Sequence, residues 1–153
     1  MRALYAGSFD PPTLGHLDIV RRAAALAGDL VVGIGINPDR EPLLGIGTRL
    51  ELLQGLCADL DDVSVRAYEG ATVHFAEEVD ATVLVRGIRG PEDWPHESAL
   101  ADANRHLGIE TLLLPAAPSL VPCRGSLVRE LHAAGLDVSP YVPPAVAEAL
   151  AAS

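Results

Sequence analysis

The chain has 153 residues, of which 49% are hydrophobic and 21% charged, a composition typical of one globular domain with a sizeable core. Its formal net charge of −10 argues against a nucleic-acid coat protein and against binding to anionic membranes. All eleven of its Lys-or-Arg residues are arginines. The absence of lysine excludes a P-loop and a lysine Schiff base, so an anion site must use arginine, histidine, hydroxyl and backbone N–H groups.

Cysteine usage and hydropathy set the expected compartment. The two cysteines, Cys57 and Cys123, form neither a disulfide framework nor a zinc-site spacing. The start of the chain is too short and too polar for a secretory signal, and no apolar run reaches membrane-spanning length. We therefore expect a cytoplasmic protein with no metal site of its own. Since no repeat or linker divides the sequence, residues 1–153 are expected to form one domain.

The first predicted element is a short buried strand over residues 2–6. It leads into the loop 7–16, whose two prolines stiffen the turn, and then into a helix that ends near Leu26. Thr13 or one of its neighbours is expected to cap this helix. A strand, a tight loop and a helix N-terminus make a seat for phosphate, because free N–H groups and the helix dipole attract anions. His16 is predicted in the first helical turn, directed at that phosphate.

The rest of the chain alternates between strands and helices. The predicted elements are strand 29–36, a helix capped by Thr48, strand 63–68, helix 72–78, strand 81–85, a helix from Pro91 to about Leu107, strand 111–114, a helix opened by residues 123–126, and helix 143–151. Cys57 falls on the apolar face of the second helix and is expected in the core. The alternation predicts an α/β fold, a single-domain, Rossmann-like, doubly wound, five-stranded parallel sheet with helices on both faces.

Polar loops follow four of the predicted strands. In such sheets ligands bind beyond the C-terminal ends of the strands, where the strand order reverses. The loops 7–16, 37–42, 86–90 and 118–126 are expected there, and they supply Ser8, His16, Arg40, Arg86, Arg89, Arg124 and Ser126. Many phosphate donors with few candidate bases indicate phosphoryl or nucleotidyl transfer, which depends on positioning and electrostatic stabilisation.

The loop 7–16 ends in Thr13-Leu14-Gly15-His16, which resembles the T/H-x-G-H signature of the nucleotidylyltransferase superfamily. Threonine at its first position is typical of the phosphopantetheine adenylyltransferases. Further segments resemble that family in order and spacing, namely 17–23, Asn37-Pro38, 81–87, 104–107 and 126–130. The resemblance implies adenylyl transfer from ATP to 4′-phosphopantetheine, which yields dephospho-coenzyme A and pyrophosphate. It also implies Mg²⁺ as cofactor and assembly as a homohexamer.

The resemblance assigns expected roles to individual residues. His16 would be the catalytic residue, which contacts the α-phosphate and stabilises charge in the transition state. The expected nucleotide-binding residues are Ser8, Phe9, His16, Gly87, Ile88, Arg89, Glu97, Arg124, Gly125, Ser126 and Arg129. The expected acceptor-binding residues are Ser8, Arg40, Thr72 and Arg86. No protein nucleophile is needed, because the acceptor's own phosphate attacks the α-phosphorus.

Simpler structural roles stay open for several of these residues. The arginines of the loops are also compatible with plain surface charges, and Glu97 with a charge on a helix face. Asp10 is expected to hold backbone N–H groups of its loop rather than to take part in chemistry. Trp94 is expected to pack or to contact another subunit rather than to stack on a base.

Two segments depart from the family pattern and keep alternatives open. Relatives carry larger apolar residues where Ala71-Thr72 stand, and hydroxyl residues where Arg124 and Gly125 follow Cys123. One alternative is a sister nucleotidylyltransferase with another phosphorylated or phosphonylated acceptor and CTP as a candidate nucleotide. A second alternative is a non-catalytic protein that binds nucleotide or coenzyme A with the same fold.

Overall fold

Five parallel strands form the centre of the molecule. In the computed structural model, which describes residues 1–153, they are β1 (Arg2–Gly7), β2 (Asp29–Ile36), β3 (Val63–Glu69), β4 (Val83–Ile88) and β5 (Glu110–Pro115). The helices are α1 (Leu14–Ala27), α2 (Ile46–Leu56), α3 (Thr72–Glu78), α4 (Trp94–His106), α5 (Gly125–Ala133) and α6 (Pro144–Ala151), with a 3-10 turn at Pro118–Leu120. The predicted α/β alternation is confirmed.

The strand order in the sheet is β3-β2-β1-β4-β5, and every neighbouring pair is parallel. Leu4 of β1 pairs with Val31 of β2 on one side and with Leu84 of β4 on the other. The order therefore reverses at β1, which confirms the predicted doubly wound sheet. The loops after β1 and β4 meet at this reversal, where a ligand is expected. None of the helices is both long and apolar enough to span a membrane.

Three groups of buried side chains fill the space around the sheet. The first joins α1 and α2 to one face through Ile19, Val20, Leu30, Val32, Leu53 and Cys57. The second joins α3 to the opposite face through Leu4, Val31, Phe75, Val79 and Leu84. The third, which we call the C-terminal cluster, comprises Leu44, Val128, Val138, Val142, Val146 and Leu150. Cys57 is 4% exposed, which confirms its prediction as a core residue.

The predicted start of α2 is wrong. The helix begins at Ile46 after Gly45, and Thr48 is an exposed residue within it rather than its cap. The start is set by the buried Leu44, whose N–H donates to the distant Asp10 carboxylate and whose C=O accepts from Arg49 within α2. The apolar periodicity of α2 therefore does not show where the helix begins.

The predicted end of β4 and the predicted start of α4 are also wrong. β4 continues to Ile88, because β5 pairs with it as far as Pro115. Arg86 and the two residues after it therefore lie in the strand rather than in a loop. α4 begins at Trp94, because residues 90–93 form a turn in which the Asp93 carboxylate accepts the N–H of Arg89.

Candidate active site

The N-terminus of α1 is closed by Thr13, as predicted. Its side chain is fully buried, and its hydroxyl accepts the His16 N–H at 3.2 Å. In return, the backbone N–H of Thr13 donates to Nδ1 of His16 at 3.0 Å. This capping box fixes the imidazole ring against the first turn of the helix.

His16 is a neutral hydrogen-bond donor at neutral pH. Burial and, to a lesser extent, the positive charge of the nearby Arg89 guanidinium lower the pKa of His16 to about 4. Since Nδ1 accepts from Thr13, the single ring proton is assigned to Nε2. The site thus presents an Nε2–H group that can donate to a phosphate oxygen without carrying a charge.

Gly15 allows the segment before α5 to lie against the first turn of α1. A Cβ atom at this position would lie 2.7 Å from the backbone oxygen of Cys123, closer than real Cβ contacts. The same carbonyl accepts the Thr13 hydroxyl at 2.8 Å. The glycine and the threonine of the signature therefore both serve the contact between the start of α1 and the start of α5.

A cleft of about 170 Å³ lies where the sheet order reverses. Six of the predicted site residues line it, namely His16, Arg86, Gly87, Arg89, Glu97 and Arg124. The remaining wall consists of Tyr5, Ala6, Gly7, Gly15, Ile19, Ala116, Leu120 and Cys123. Three arginines and the His16 donor in a small cleft favour a phosphorylated ligand.

Arg86 and Glu97 form a bidentate ion pair in the cleft wall. Nε and Nη2 of Arg86 donate to the two carboxylate oxygens of Glu97, each at 2.8 Å. Glu97 is the only buried residue of α4, so the pair also ties this helix to β4. The hydrogen bond to Glu97 raises the pKa of Arg86 above its ordinary value. Arg86 is therefore a permanent cation with a fixed orientation.

Arg86 also lines a second cavity, of about 100 Å³. It is lined by Leu4, Ala6, Thr72, Leu84, Val85, Arg86, Leu100 and Asn104. The lining is mostly apolar, and Thr72 contributes a hydroxyl that also contacts the Tyr68 hydroxyl at 2.8 Å. Ala6 and Arg86 line both the cleft and this cavity, and Arg86 is the charged one of the two.

Other predicted site residues lie outside these two cavities. Ser8 and Arg40 are exposed, and Ile88 lines a neighbouring groove of about 420 Å³ together with Trp94, which is 56% exposed. The Phe9 side chain is only 1% exposed and packs edge-on against Tyr5 and His16. Its side chain therefore cannot contact a nucleotide, and only its backbone N–H is available for that predicted role.

The start of α5 carries the remaining predicted nucleotide residues. Within the chain no hydrogen bond is donated by the N–H groups of Gly125, Ser126 or Leu127. Arg129 lies one turn further on, and its Nη1 donates to the backbone oxygen of Asp10 at 2.8 Å. Burial and the nearby Arg40 lower the pKa of Arg129. This end of α5 offers unpaired donors beside the first loop.

Sequence reasoning missed one residue of this region and misplaced another. Arg49, which is 5% exposed, donates from Nε to the Leu44 oxygen at 2.9 Å and from Nη1 to the Ser8 oxygen at 2.8 Å. Asp10 accepts the N–H groups of Leu43 and Leu44, each at 2.8 Å, so it holds the loop before α2 rather than its own loop. The available signal for Arg49 was its position one turn before Leu53, on the inner face of α2.

Comparisons with known proteins identify the family of the chain. The sequence model of the cytidylyltransferase-like family matches residues 4–131. The phosphopantetheine adenylyltransferase of Nocardioides sp. is 47% identical over 146 residues, which cover 95% of this chain and 92% of the relative. That of Clavibacter michiganensis subsp. michiganensis is 46% identical over 154 residues, 97% of this chain and 94% of the relative.

A solved structure shows the same fold. A putative nicotinate-nucleotide adenylyltransferase from Vibrio parahaemolyticus superposes with a TM-score of 0.67 at 20% identity, over 98% of this chain and 97% of that chain. At this identity the likeness concerns the fold alone. The family itself is shown by the matched sequence model and by the relatives at 46–47% identity. The chain belongs to the cytidylyltransferase-like family and, within it, to the phosphopantetheine adenylyltransferases.

Proposed function

We propose that the protein transfers the adenylyl group of ATP to 4′-phosphopantetheine, with dephospho-coenzyme A and pyrophosphate as products. An oxygen of the acceptor phosphate forms a bond to the α-phosphorus. The bond from that phosphorus to the bridging oxygen of the β-phosphate breaks, and pyrophosphate leaves with the electron pair. The observation that carries the proposal is Arg86, because it joins a cleft suited to phosphate with a separate cavity suited to an apolar arm.

The nucleotide is proposed to occupy the cleft. The α-phosphate would accept from Nε2–H of His16 and from the Gly15 N–H, which has no partner within the chain. The β- and γ-phosphates would face the start of α5, where three N–H groups are unpaired and Arg124 is exposed. Neutral and cationic donors held in place before the reaction stabilise the charge that develops on the transferred group.

The acceptor is proposed to enter from the second cavity. Its phosphate would bind Arg86, with Ser8 and Arg40 at the exposed edge, and its pantetheine arm would lie along Thr72. In this arrangement Arg86 would bind the acceptor phosphate at the boundary with the cleft, where one of its oxygens can approach the α-phosphorus directly. Catalysis then comes from orientation and charge stabilisation, so no protein group has to remove a proton.

Magnesium is proposed to enter as part of the substrate, as MgATP. No group of three or more His, Cys, Asp or Glu side chains in the chain is placed to hold a metal ion. The two buried carboxylates of the region are already engaged, Glu97 by Arg86 and Asp10 by backbone N–H groups. Phosphate oxygens and water are the usual ligands of Mg²⁺ in nucleotide sites.

A homohexamer is proposed on the family resemblance. Exposed apolar side chains at the two ends of α4 are compatible with an assembly, because Trp94 is 56% and Leu107 is 62% exposed. Light scattering after size exclusion should give six times the 16.0 kDa mass of one chain. A monomer mass at micromolar concentration would contradict this part of the proposal.

The test of the activity is direct. The protein is incubated with MgATP and 4′-phosphopantetheine, and pyrophosphate and dephospho-coenzyme A are measured, the latter by mass spectrometry. Equal amounts of both products are expected. Replacement of His16 by Ala should lower kcat by roughly 10²–10³-fold, the usual loss for one transition-state donor. His106→Ala, which removes an exposed imidazole outside the cleft, should leave kcat unchanged.

Two outcomes would decide for the alternatives. A larger kcat/KM with CTP than with ATP would show a sister nucleotidylyltransferase. Binding of ATP by calorimetry without product formation, in a sample that melts cooperatively, would show a non-catalytic nucleotide-binding protein. Either result contradicts the proposed activity.

A further inference from the structure

Arg49 is a buried cation in contact with the phosphate-binding loop. It is 5% exposed and takes part in no ion pair of the chain. Its partners are two backbone oxygens, that of Leu44 before α2 and that of Ser8 after β1. A guanidinium without a carboxylate partner is an expensive residue to bury, so its hydrogen bonds to these carbonyl groups need a reason beyond packing.

The bond to Ser8 fixes the direction of a neighbouring donor. The Ser8 carbonyl and the Phe9 N–H belong to the same peptide group, which is trans, so they point in opposite directions. Because the carbonyl faces the buried guanidinium, the Phe9 N–H faces away from it. No hydrogen bond within the chain uses this N–H. Arg49 therefore holds an unpaired donor in a defined orientation.

Phe9 is fixed on its other side as well. Its φ of 46° lies in the left-handed region, which residues other than glycine rarely adopt. Its ring is buried, with the ring centroid 5.0 Å from that of His16 and 5.4 Å from that of Tyr5. The free N–H of Phe9 thus belongs to the residue that supports the imidazole of His16.

We propose that Arg49 is a positioning residue, which orients the Ser8–Phe9 peptide so that the Phe9 N–H donates to a phosphate oxygen of the nucleotide beside His16. This inference rests on the proposed function. Arg49 itself touches no substrate. Its contribution is a donor that is already aligned before the reaction, so its loss should affect kcat more than the affinity for substrates.

Substitutions at Arg49 give the first test. Arg49→Lys keeps the charge but cannot span both carbonyl oxygens, and Arg49→Ala removes both bonds. We expect kcat to fall about tenfold or more in both variants, with each KM within about threefold of wild type. Arg105→Ala is the matched control. It removes an exposed arginine of α4 that forms ion pairs with Asp102 and Glu110, and kcat should not change.

Chemical rescue separates positioning from folding. Millimolar guanidinium, which can refill the space left in Arg49→Ala, should raise kcat several-fold in that variant and in neither wild type nor the control. Rates are normalised to the folded fraction from near-ultraviolet circular dichroism. If normalised kcat of Arg49→Lys equals that of wild type, or if guanidinium does not raise the rate of Arg49→Ala, the positioning role is wrong.

An NMR titration tests the donor without relying on turnover. In the wild-type protein, MgATP should shift the Phe9 amide proton downfield, as expected for a new hydrogen bond to phosphate, and Arg49→Lys should reduce this shift. If the Phe9 amide shifts with MgATP but the protein forms no product when 4′-phosphopantetheine is also added, the donor is real and the proposed activity is wrong. An unmoved Phe9 amide at saturating MgATP would overturn the inference itself.

Discussion

At the scale of single residues, the protonation of His16 decides how the site responds to acid. The folded pKa of about 4 lies below the ordinary value of 6.5, so the unfolded chain binds more protons at this residue between those two values. The stability associated with neutral His16 is therefore complete above about pH 6.5, falls progressively as the pH drops from 6.5 toward 4, and is lost below the folded pKa of about 4. Over the same range the neutral Nε2–H donor persists, so kcat should not follow a histidine titration near 6.5.

Replacement of His16 by Gln should remove this acid dependence. Between pH 7 and pH 4.5 we expect wild type to lose about 2 kcal/mol more unfolding free energy than His16→Gln, because the variant has no such group to protonate. Urea unfolding at both pH values measures the difference. Equal losses in the two proteins would mean that His16 titrates normally in the folded state.

Two glycines in helices should respond in opposite ways to alanine. Gly15→Ala places a methyl group against the Cys123 oxygen, so the segment before α5 must move. We expect a loss of about 1–3 kcal/mol in stability and a fall in kcat, because the two helix starts separate. Gly55→Ala meets nothing within 4 Å and should stabilise α2 by up to about 1 kcal/mol. Thermal melts and initial rates compare the two; a neutral Gly15→Ala would contradict the contact.

At the scale of secondary-structure elements, α4 is attached to the sheet through polar groups. Glu97, its only buried residue, is held by Arg86 of β4, and Asn104 donates to the Thr111 hydroxyl of β5 at 3.1 Å. The helix that borders both cavities therefore has little apolar anchoring of its own. Its position depends on the same arginine that is proposed to bind the acceptor.

Glu97→Gln should loosen α4 and weaken acceptor binding together. We expect a loss of about 1–3 kcal/mol in unfolding free energy, faster amide exchange along α4, and a several-fold rise in the KM for 4′-phosphopantetheine, since Arg86 loses a charged partner. Glu110→Gln, at an exposed ion pair with Arg105, is the control and should change neither quantity. Unchanged exchange in α4 of Glu97→Gln would show that another contact holds the helix.

The bounds of an element are predicted correctly where the residues of that element determine them. They are predicted wrongly where contacts with other parts of the fold determine them. β2 and α3 have the predicted bounds, because apolar continuity and helical spacing mark them directly. The start of α2 depends on the Asp10 carboxylate of the first loop, which accepts the Leu44 N–H, and the end of β4 depends on its register with β5. Arg49 was missed for the same reason. The sequence shows an arginine at this position, but its partner Ser8 is 41 residues away, and only the fold brings the two together.

At the scale of the whole molecule, the C-terminal cluster packs against the elements that carry the site. It packs α6 against Val128 of α5 and against Leu44, whose backbone groups are bound by Asp10 and Arg49. The Tyr141 oxygen also accepts the first helical N–H of α1, from Leu14, at 3.0 Å. Residues 138–153 thus stabilise both helix starts that are proposed to hold phosphate.

Truncation of a side chain in this cluster should lower stability far from the cleft. Leu150→Ala, at a residue that is 1% exposed, is expected to cost about 2–5 kcal/mol in unfolding free energy. Leu136→Ala, at a residue that is 58% exposed, should change it by less than about 0.5 kcal/mol. Denaturant unfolding measures both; similar values for the two variants would mean that α6 is not part of the cooperative core.

The bond between Thr13 and Cys123 has a consequence for the order in which the protein becomes functional during synthesis. The two residues are 110 positions apart, so the carbonyl that completes the first helix cap is made long after the helix itself. During translation Thr13 and Gly15 emerge early. The segment around Cys123, which both of them contact in the folded protein, is not yet made. A prematurely terminated chain would therefore carry the signature without the site, and nucleotide capture is tied to completion of the fold rather than to its first βα unit.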